Sequence, residues 1–135
     1  MRLFGWFLLT FFTLQANAVE VVVNRGVAGT SLAQASARAL FGMRLTKWPD
    51  GRPVRVFVLP DGHPVHVALC KEELNLYPYQ LRQAWDRLVY SGMAQAPIEV
   101  ATEEEMISRV ATTPGALGYV RRVKANDPVK SLYVE

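Results

Sequence analysis

The chain has 135 residues, half of them hydrophobic and a fifth charged, with 15 Lys and Arg against 12 Asp and Glu for a net charge of +3. That composition supports one compact domain and excludes a disordered or collagen-like chain, and a single cysteine excludes a disulfide scaffold. Apart from Arg121-Arg122 the basic residues are scattered, so the clustered footprint of a nucleic-acid reader is missing.

Residues 1–18 read as a cleaved secretory signal. Arg2 supplies the positive start, residues 3–14 form an uncharged apolar run, and Ala16 and Ala18 place small side chains three and one positions before a cut ahead of Val19. Twelve helical residues reach about 18 Å, short of the ~30 Å hydrocarbon core, so the run does not read as a membrane span. Val19 is not a cysteine, which argues against a lipid anchor at the cut. The expectation is a periplasmic domain over residues 19–135, with no membrane span once the signal is removed.

Residues 19–24 (VEVVVN) form a β-branched run short enough for a buried strand, and Arg25-Gly26 follows as a turn. The pair Ser31 and Gln34 fits a capping box, so a helix is expected from Ser31 to about Phe41-Gly42, with Leu32, Ala35, Ala39 and Leu40 inward. Gly42 is expected to close it in the left-handed conformation. Turn formers fill residues 47–53, and residues 54–59 (VRVFVL) return to strand. After the turn Pro60-Asp61-Gly62, Pro64 suits the first turn of a helix ending near Leu74. A further helix is expected from Pro78 to Ser91-Gly92, with Leu81, Trp85, Leu88 and Val89 on one stripe. Residues 98–100 read as a short strand. Thr102 and Glu105 cap a helix carrying Met106, Ile107 and Val110 inward, residues 116–120 read as a strand, and residues 129–134 alternate like a final edge strand. The alternation points to an α/β layer fold with a mostly parallel sheet flanked by helices.

Three stretches then carry a resemblance: Leu40-Phe41-Gly42-Met43-Arg44-Leu45-Thr46-Lys47-Trp48-Pro49-Asp50-Gly51, Leu81-Arg82-Gln83-Ala84-Trp85-Asp86-Arg87-Leu88 with Ser91-Gly92, and Thr113-Pro114-Gly115-Ala116-Leu117-Gly118-Tyr119-Val120. In order and spacing they resemble the periplasmic phosphate-binding-protein family of ABC transporters, and its short secreted members in particular. The resemblance implies a single lobe of a periplasmic-binding-protein-like fold. It also implies a solute-binding role connected with transport and a small anion such as phosphate as ligand; the sequence carries no nucleophile elbow, phosphate loop or metal motif, so a non-enzymatic protein without cofactor or metal is expected. In the full-length family two lobes close over the anion, and a Ser-Gly-Thr-type segment at a helix N-terminus donates to it. The matching segment here, Asp61-Gly62-His63-Pro64-Val65, has no hydroxyl, loses an N–H at Pro64 and carries an acid. These departures, with room for only one lobe, leave open an envelope accessory subunit whose partner is another protein.

Two segments are the candidate anion sites. In the first, Arg25, Gly29, Thr30 and Ser31 combine a Gly-containing loop, an Arg and two hydroxyls ahead of a helix; the alternative is an ordinary loop with Ser31 as cap. The second is Asp61, Gly62 and His63, where the imidazole would serve as a pH-dependent donor; the alternative is a solvated turn. His66, Cys70 and Glu73 share a helix face that suits a thiol–imidazole pair or a metal, but no orienting third group or further ligand is apparent, and a buried inert Cys70 is expected. Tyr77, Tyr79, Trp85 and Tyr90 read as packing between helix and sheet in preference to an aromatic platform for sugar or peptide. Glu103-Glu104-Glu105 reads as a solvated first turn, favoured by the helix dipole over calcium binding.

Overall fold

The structure is a computed structural model that describes residues 19–135; the signal segment expected over residues 1–18 lies outside the described residues. Six strands, β1 (Glu20–Val23), β2 (Ser31–Leu32), β3 (Arg55–Val58), β4 (Ile98–Glu99), β5 (Ala116–Val120) and β6 (Lys130–Val134), form one sheet in the order β2-β6-β1-β5-β3-β4. β1 runs antiparallel to both its neighbours, β5 and β6, while β2 with β6, β3 with β5 and β3 with β4 pair in parallel. Five strands therefore share one direction, and the sheet is mostly parallel, as expected from the alternation of elements. The central strands are the continuous apolar runs VVV and ALGYV, buried because helices cover both faces.

The helices are α1 (Gln34–Phe41), α2 (Pro64–Ala68), α3 (Pro78–Tyr90) and α4 (Glu103–Thr112); α2 runs straight into a π-helical turn, Leu69–Glu73. Neighbouring residues of β5 show which face each helix covers. A Cβ on Gly118 would lie 2.6 Å from Met106 Sδ and 2.9 Å from Val110 Cγ2, so α4 packs on that face at a distance only glycine permits. Tyr119 points the other way, edge-on to Phe41 of α1 with ring centroids 5.7 Å apart. On that side Trp85 of α3 donates from Nε1 to the Phe41 carbonyl at 2.7 Å. Trp48, buried at the edge of the core, donates to the Gly115 carbonyl at 3.0 Å.

Several local expectations are corrected. Ser31 is a strand residue opposite Tyr133 and does not cap α1, which starts at Gln34 behind Ala33 with no side-chain cap. The shift turns Ala35 outward and leaves Ala37, Leu40 and Phe41 inside. Gly42 stays right-handed at φ −77° and the left-handed residue is Met43 at φ 62°. β6 is not an edge strand: β1 and β2 flank it, and the edges are the two-residue strands β2 and β4. Edges that short offer little template for unwanted pairing.

Candidate functional site

β3, β4 and β2 all deliver their chains to the same edge of the sheet, where α2, α4 and α1 respectively begin. At this carboxyl edge the Leu59 N–H donates to the Tyr119 hydroxyl at 2.8 Å, fixing the exit of β3. The chain then turns at Pro60, with the His63 N–H donating to its carbonyl at 2.9 Å. His63 is the N-cap of α2: its Nδ1 accepts the Val65 N–H at 3.1 Å, and Pro64 has no N–H to offer. Gly62 is exposed between them.

Asp61 does not face the solvent unpaired. Arg82 of α3 donates to it from Nε at 2.9 Å and from Nη2 at 2.7 Å, a two-point grip that holds the carboxyl below its ordinary range despite partial burial. The guanidinium also sits 5.0 Å from the Trp85 ring centroid. Arg82 is the member of this cluster that the sequence reading missed. Its signal was its place next to buried Leu81 on the α3 stripe, where a cation is held half-buried instead of projecting freely.

Beneath this loop lies a buried polar chain. The Tyr119 hydroxyl, already accepting from Leu59, hydrogen-bonds His66 Nδ1, and His66 Nε2 lies 3.7 Å from Cys70 Sγ. The hydroxyl accepts from Leu59 and its own proton has Nδ1 as the acceptor within reach, a pairing that leaves the proton of a neutral imidazole on Nε2, toward the sulfur. Burial favours that neutral form and pushes the histidine below its ordinary value; it also pushes the Cys70 thiol up to about 11 and the Tyr119 phenol upward. All three groups are therefore uncharged at neutral pH. A protonated, enclosed thiol is a poor nucleophile and a poor ligand. Glu73 stands apart, its backbone carbonyl accepting from Gln34 Nε2 at 3.1 Å, and no metal-holding group of three or more acidic, His or Cys side chains occurs among the described residues.

The other candidate segment is stretched along the sheet. Asn24 organises its start: Oδ1 accepts the Gly26 N–H at 2.9 Å, and Nδ2 donates to the Val110 and Ala111 carbonyls at 3.1 Å, closing the end of α4. Arg25 reaches the Asp127 carbonyl at 3.4 Å, at the amino edge. Gly29 takes φ +100°, after which the Thr30 carbonyl accepts from Tyr133 and Ser31 joins β2. Since Val23 pairs with Lys130 and Ser31 with Tyr133, Arg25 and Ser31 are separated by at least three residues of β6, about 10 Å. Ser31 and the loop after β3 are four strand spacings apart, about 19 Å. The structure thus brings Asp61, Gly62, His63 and Arg82 together, and places Arg25 and Thr30-Ser31 elsewhere.

Of the four aromatic residues expected to pack inward, Trp85 does and the tyrosines do not: Tyr77 is 56 % exposed, Tyr79 61 % and Tyr90 90 %. Tyr77 and Tyr79 stack on one another with centroids 5.8 Å apart. Glu103 accepts the Arg121 N–H, Glu105 accepts the Ala101 N–H at 3.0 Å, and Thr102 Oγ1 accepts from Glu105, so two members of the acidic run serve as backbone acceptors around the start of α4.

No family model matches the chain, and no curated protein does. Solved structures do. PstS from Borrelia burgdorferi matches at 12 % identity and a TM-score of 0.63, over 87 % of this chain and 47 % of that one. An ABC-type phosphate transport receptor from Vibrio cholerae matches at 13 % and 0.64, over 87 % and 46 %. A phosphate-bound structure from Clostridium perfringens gives 13 % and 0.64, over 87 % and 44 %. The chain spans less than half the length of each, and no helix among the described residues is long and apolar enough to cross a membrane. Such a likeness shows the fold: the chain is a mixed α/β single lobe of the periplasmic-binding-protein-like kind.

Proposed function

We propose that the chain is a secreted, non-enzymatic, solute-binding-like protein that takes a small oxyanion such as phosphate at the carboxyl edge of its sheet, in connection with transport. The observation that carries this reading is that α1, α2 and α4 all start at that edge, with α2 and α4 opening side by side behind the neighbouring strands β3 and β4. The positive ends of helix dipoles and the loops at strand carboxyl ends are where open α/β sheets receive anionic ligands. The similar structures named as phosphate transport proteins, those from Clostridium perfringens and Vibrio cholerae, support the same ligand class. A non-enzymatic role is supported by the uncharged, buried state of the Tyr119-His66-Cys70 chain.

A thermal-shift titration against phosphate, arsenate and sulfate tests the reading, because a ligand that binds the folded state raises its melting temperature with concentration. No rise with any oxyanion would sink it. A second reading, an envelope accessory subunit that meets another protein, is favoured by the grip of Arg82 on Asp61, which leaves the loop closed on itself; that subunit would copurify with an envelope partner and ignore oxyanions. Under either reading residues 1–18 are a cleaved signal and the exported protein begins at Val19, a point settled by intact mass.

A further inference from the structure

At the amino edge of the sheet, away from the loops discussed above, a pocket of about 370 Å³ opens between residues 43–56 and residues 94–98. Its size falls within the range of small-molecule sites, roughly 300–1,000 Å³. The cause is a defect in strand pairing. β4 pairs with β3 only at Phe57 and Val58, so the stretch from Val54 to Val56 has no β4 partner, while the Thr46 carbonyl accepts from Val54 and holds the opposite wall. Met43, whose left-handed backbone ends the turn after α1, completes that wall.

The lining divides into two chemistries. Met43, Val54, Val56 and Ile98 offer an apolar floor, and Lys47 and Arg55 are the charged side chains among the described lining residues. No acid accompanies them. The side-chain ion pairs among the described residues are Arg52 with Asp50 and Arg82 with Asp61, so neither Lys47 nor Arg55 is neutralised by a carboxylate. Both cations are exposed, and a bound anion would meet them without first breaking a pair.

We infer that this pocket is a binding site for a small amphiphilic carboxylate, whose unbranched apolar body lies on Met43, Val54, Val56 and Ile98 while its carboxylate meets Lys47 and Arg55. Phosphate lacks the apolar body, and a neutral alcohol of the same length lacks the charge. The site is separate from the carboxyl-edge loop and stands or falls independently of the oxyanion reading.

Amide NMR spectra of the protein titrated with octanoate, octanol and phosphate test it. Octanoate should shift the resonances of residues 54–56 and 94–98, with octanol weaker by about tenfold, the value of one charge-assisted contact. Arg55→Glu and Lys47→Glu, both at exposed positions, should each weaken octanoate about tenfold or more while leaving the rest of the spectrum unchanged. Asp61→Asn should leave octanoate binding intact. Absence of shifts at millimolar octanoate, equal response to octanol, or phosphate moving the same resonances would overturn the inference.

Discussion

Cys70 and His66 sit four residues apart, and burial decides the chemistry of both. A thiol pushed up to about 11 and enclosed by the core is protonated and out of reach of reagents at neutral pH. Native protein should react with a thiol reagent only as fast as it opens, and completely once urea unfolds it; prompt native-state labelling would contradict the burial. His66 gives the chain a pH dependence. Its folded value lies below the unfolded 6.5, so at higher pH both states are neutral and there is no cost. As pH falls below 6.5 the unfolded chain takes up a proton that the folded chain refuses, and stability falls until the folded value is reached. Glu73 acts in the opposite sense: its carboxyl is raised above 4.5, so the folded state protonates first and gains stability as pH falls through that range. Asp61, lowered from 3.8 by Arg82, contributes stability above that value and loses it only at more acidic pH. Urea denaturation at stepped pH should therefore show stability declining from pH 6.5 downward in the native protein. His66→Gln should flatten that slope whatever it does to the absolute stability. An unchanged slope in the variant would mean that His66 is not the titrating group.

Between elements, the closest dependence is that of α4 on β5. Gly118→Ala would drive a methyl to 2.6 Å from Met106 Sδ and 2.9 Å from Val110 Cγ2, so one element must shift. The expected loss is about 1–3 kcal/mol by urea denaturation. Gly62→Ala, with nothing within 4 Å, should stay within about 0.5 kcal/mol. This contact was legible in the sequence, because a glycine inside an apolar strand has few other uses. So were α3, through Pro78, Leu81 and Trp85, and α4, through Thr102 and Glu105, since periodicity and capping are local. What escaped the sequence is what distant partners decide. Ser31 looked like a cap because Gln34 stands three residues on, but its strand partner Tyr133 lies 102 residues away. The outward tyrosines escaped for a related reason. Helical spacing places Trp85 inward, but Tyr77 precedes the helix, Tyr79 is in its first turn and Tyr90 is its last residue, where the face is set by what lies nearby. In the candidate site, Asp61 was visible as an acid but not as half of a pair, because Arg82 comes from the next full helix.

For the whole molecule, the expected affinity for phosphate follows from having one wall. A cleft closed on both sides excludes water and strengthens every hydrogen bond to the anion, whereas a lone lobe leaves the anion hydrated. Calorimetry on a verified monomer should give phosphate binding no tighter than roughly millimolar, about −4 kcal/mol. The structure adds a lever: Asp61→Ser removes the acid, supplies a hydroxyl and frees the guanidinium of Arg82, so it should tighten phosphate about tenfold or more. Arg25→Ala, at the amino edge, should leave the carboxyl-edge site unaffected. Micromolar affinity in the unmodified monomer would show that the loop is a complete site by itself.

The reversed central strand also governs when the protein can fold. β1 occupies residues 20–23, yet its hydrogen-bonding neighbours lie at residues 117–120 and 130–132, close to a hundred positions later. Loop-closure entropy must be met before these pairings give anything back, which places the chain among slow folders with high contact order. During synthesis, N-terminal segments cannot settle early, because the middle of the sheet is missing its partners until β5 and β6 have been made. The sheet stays open until both strands are available, and their pairing with β1 closes it.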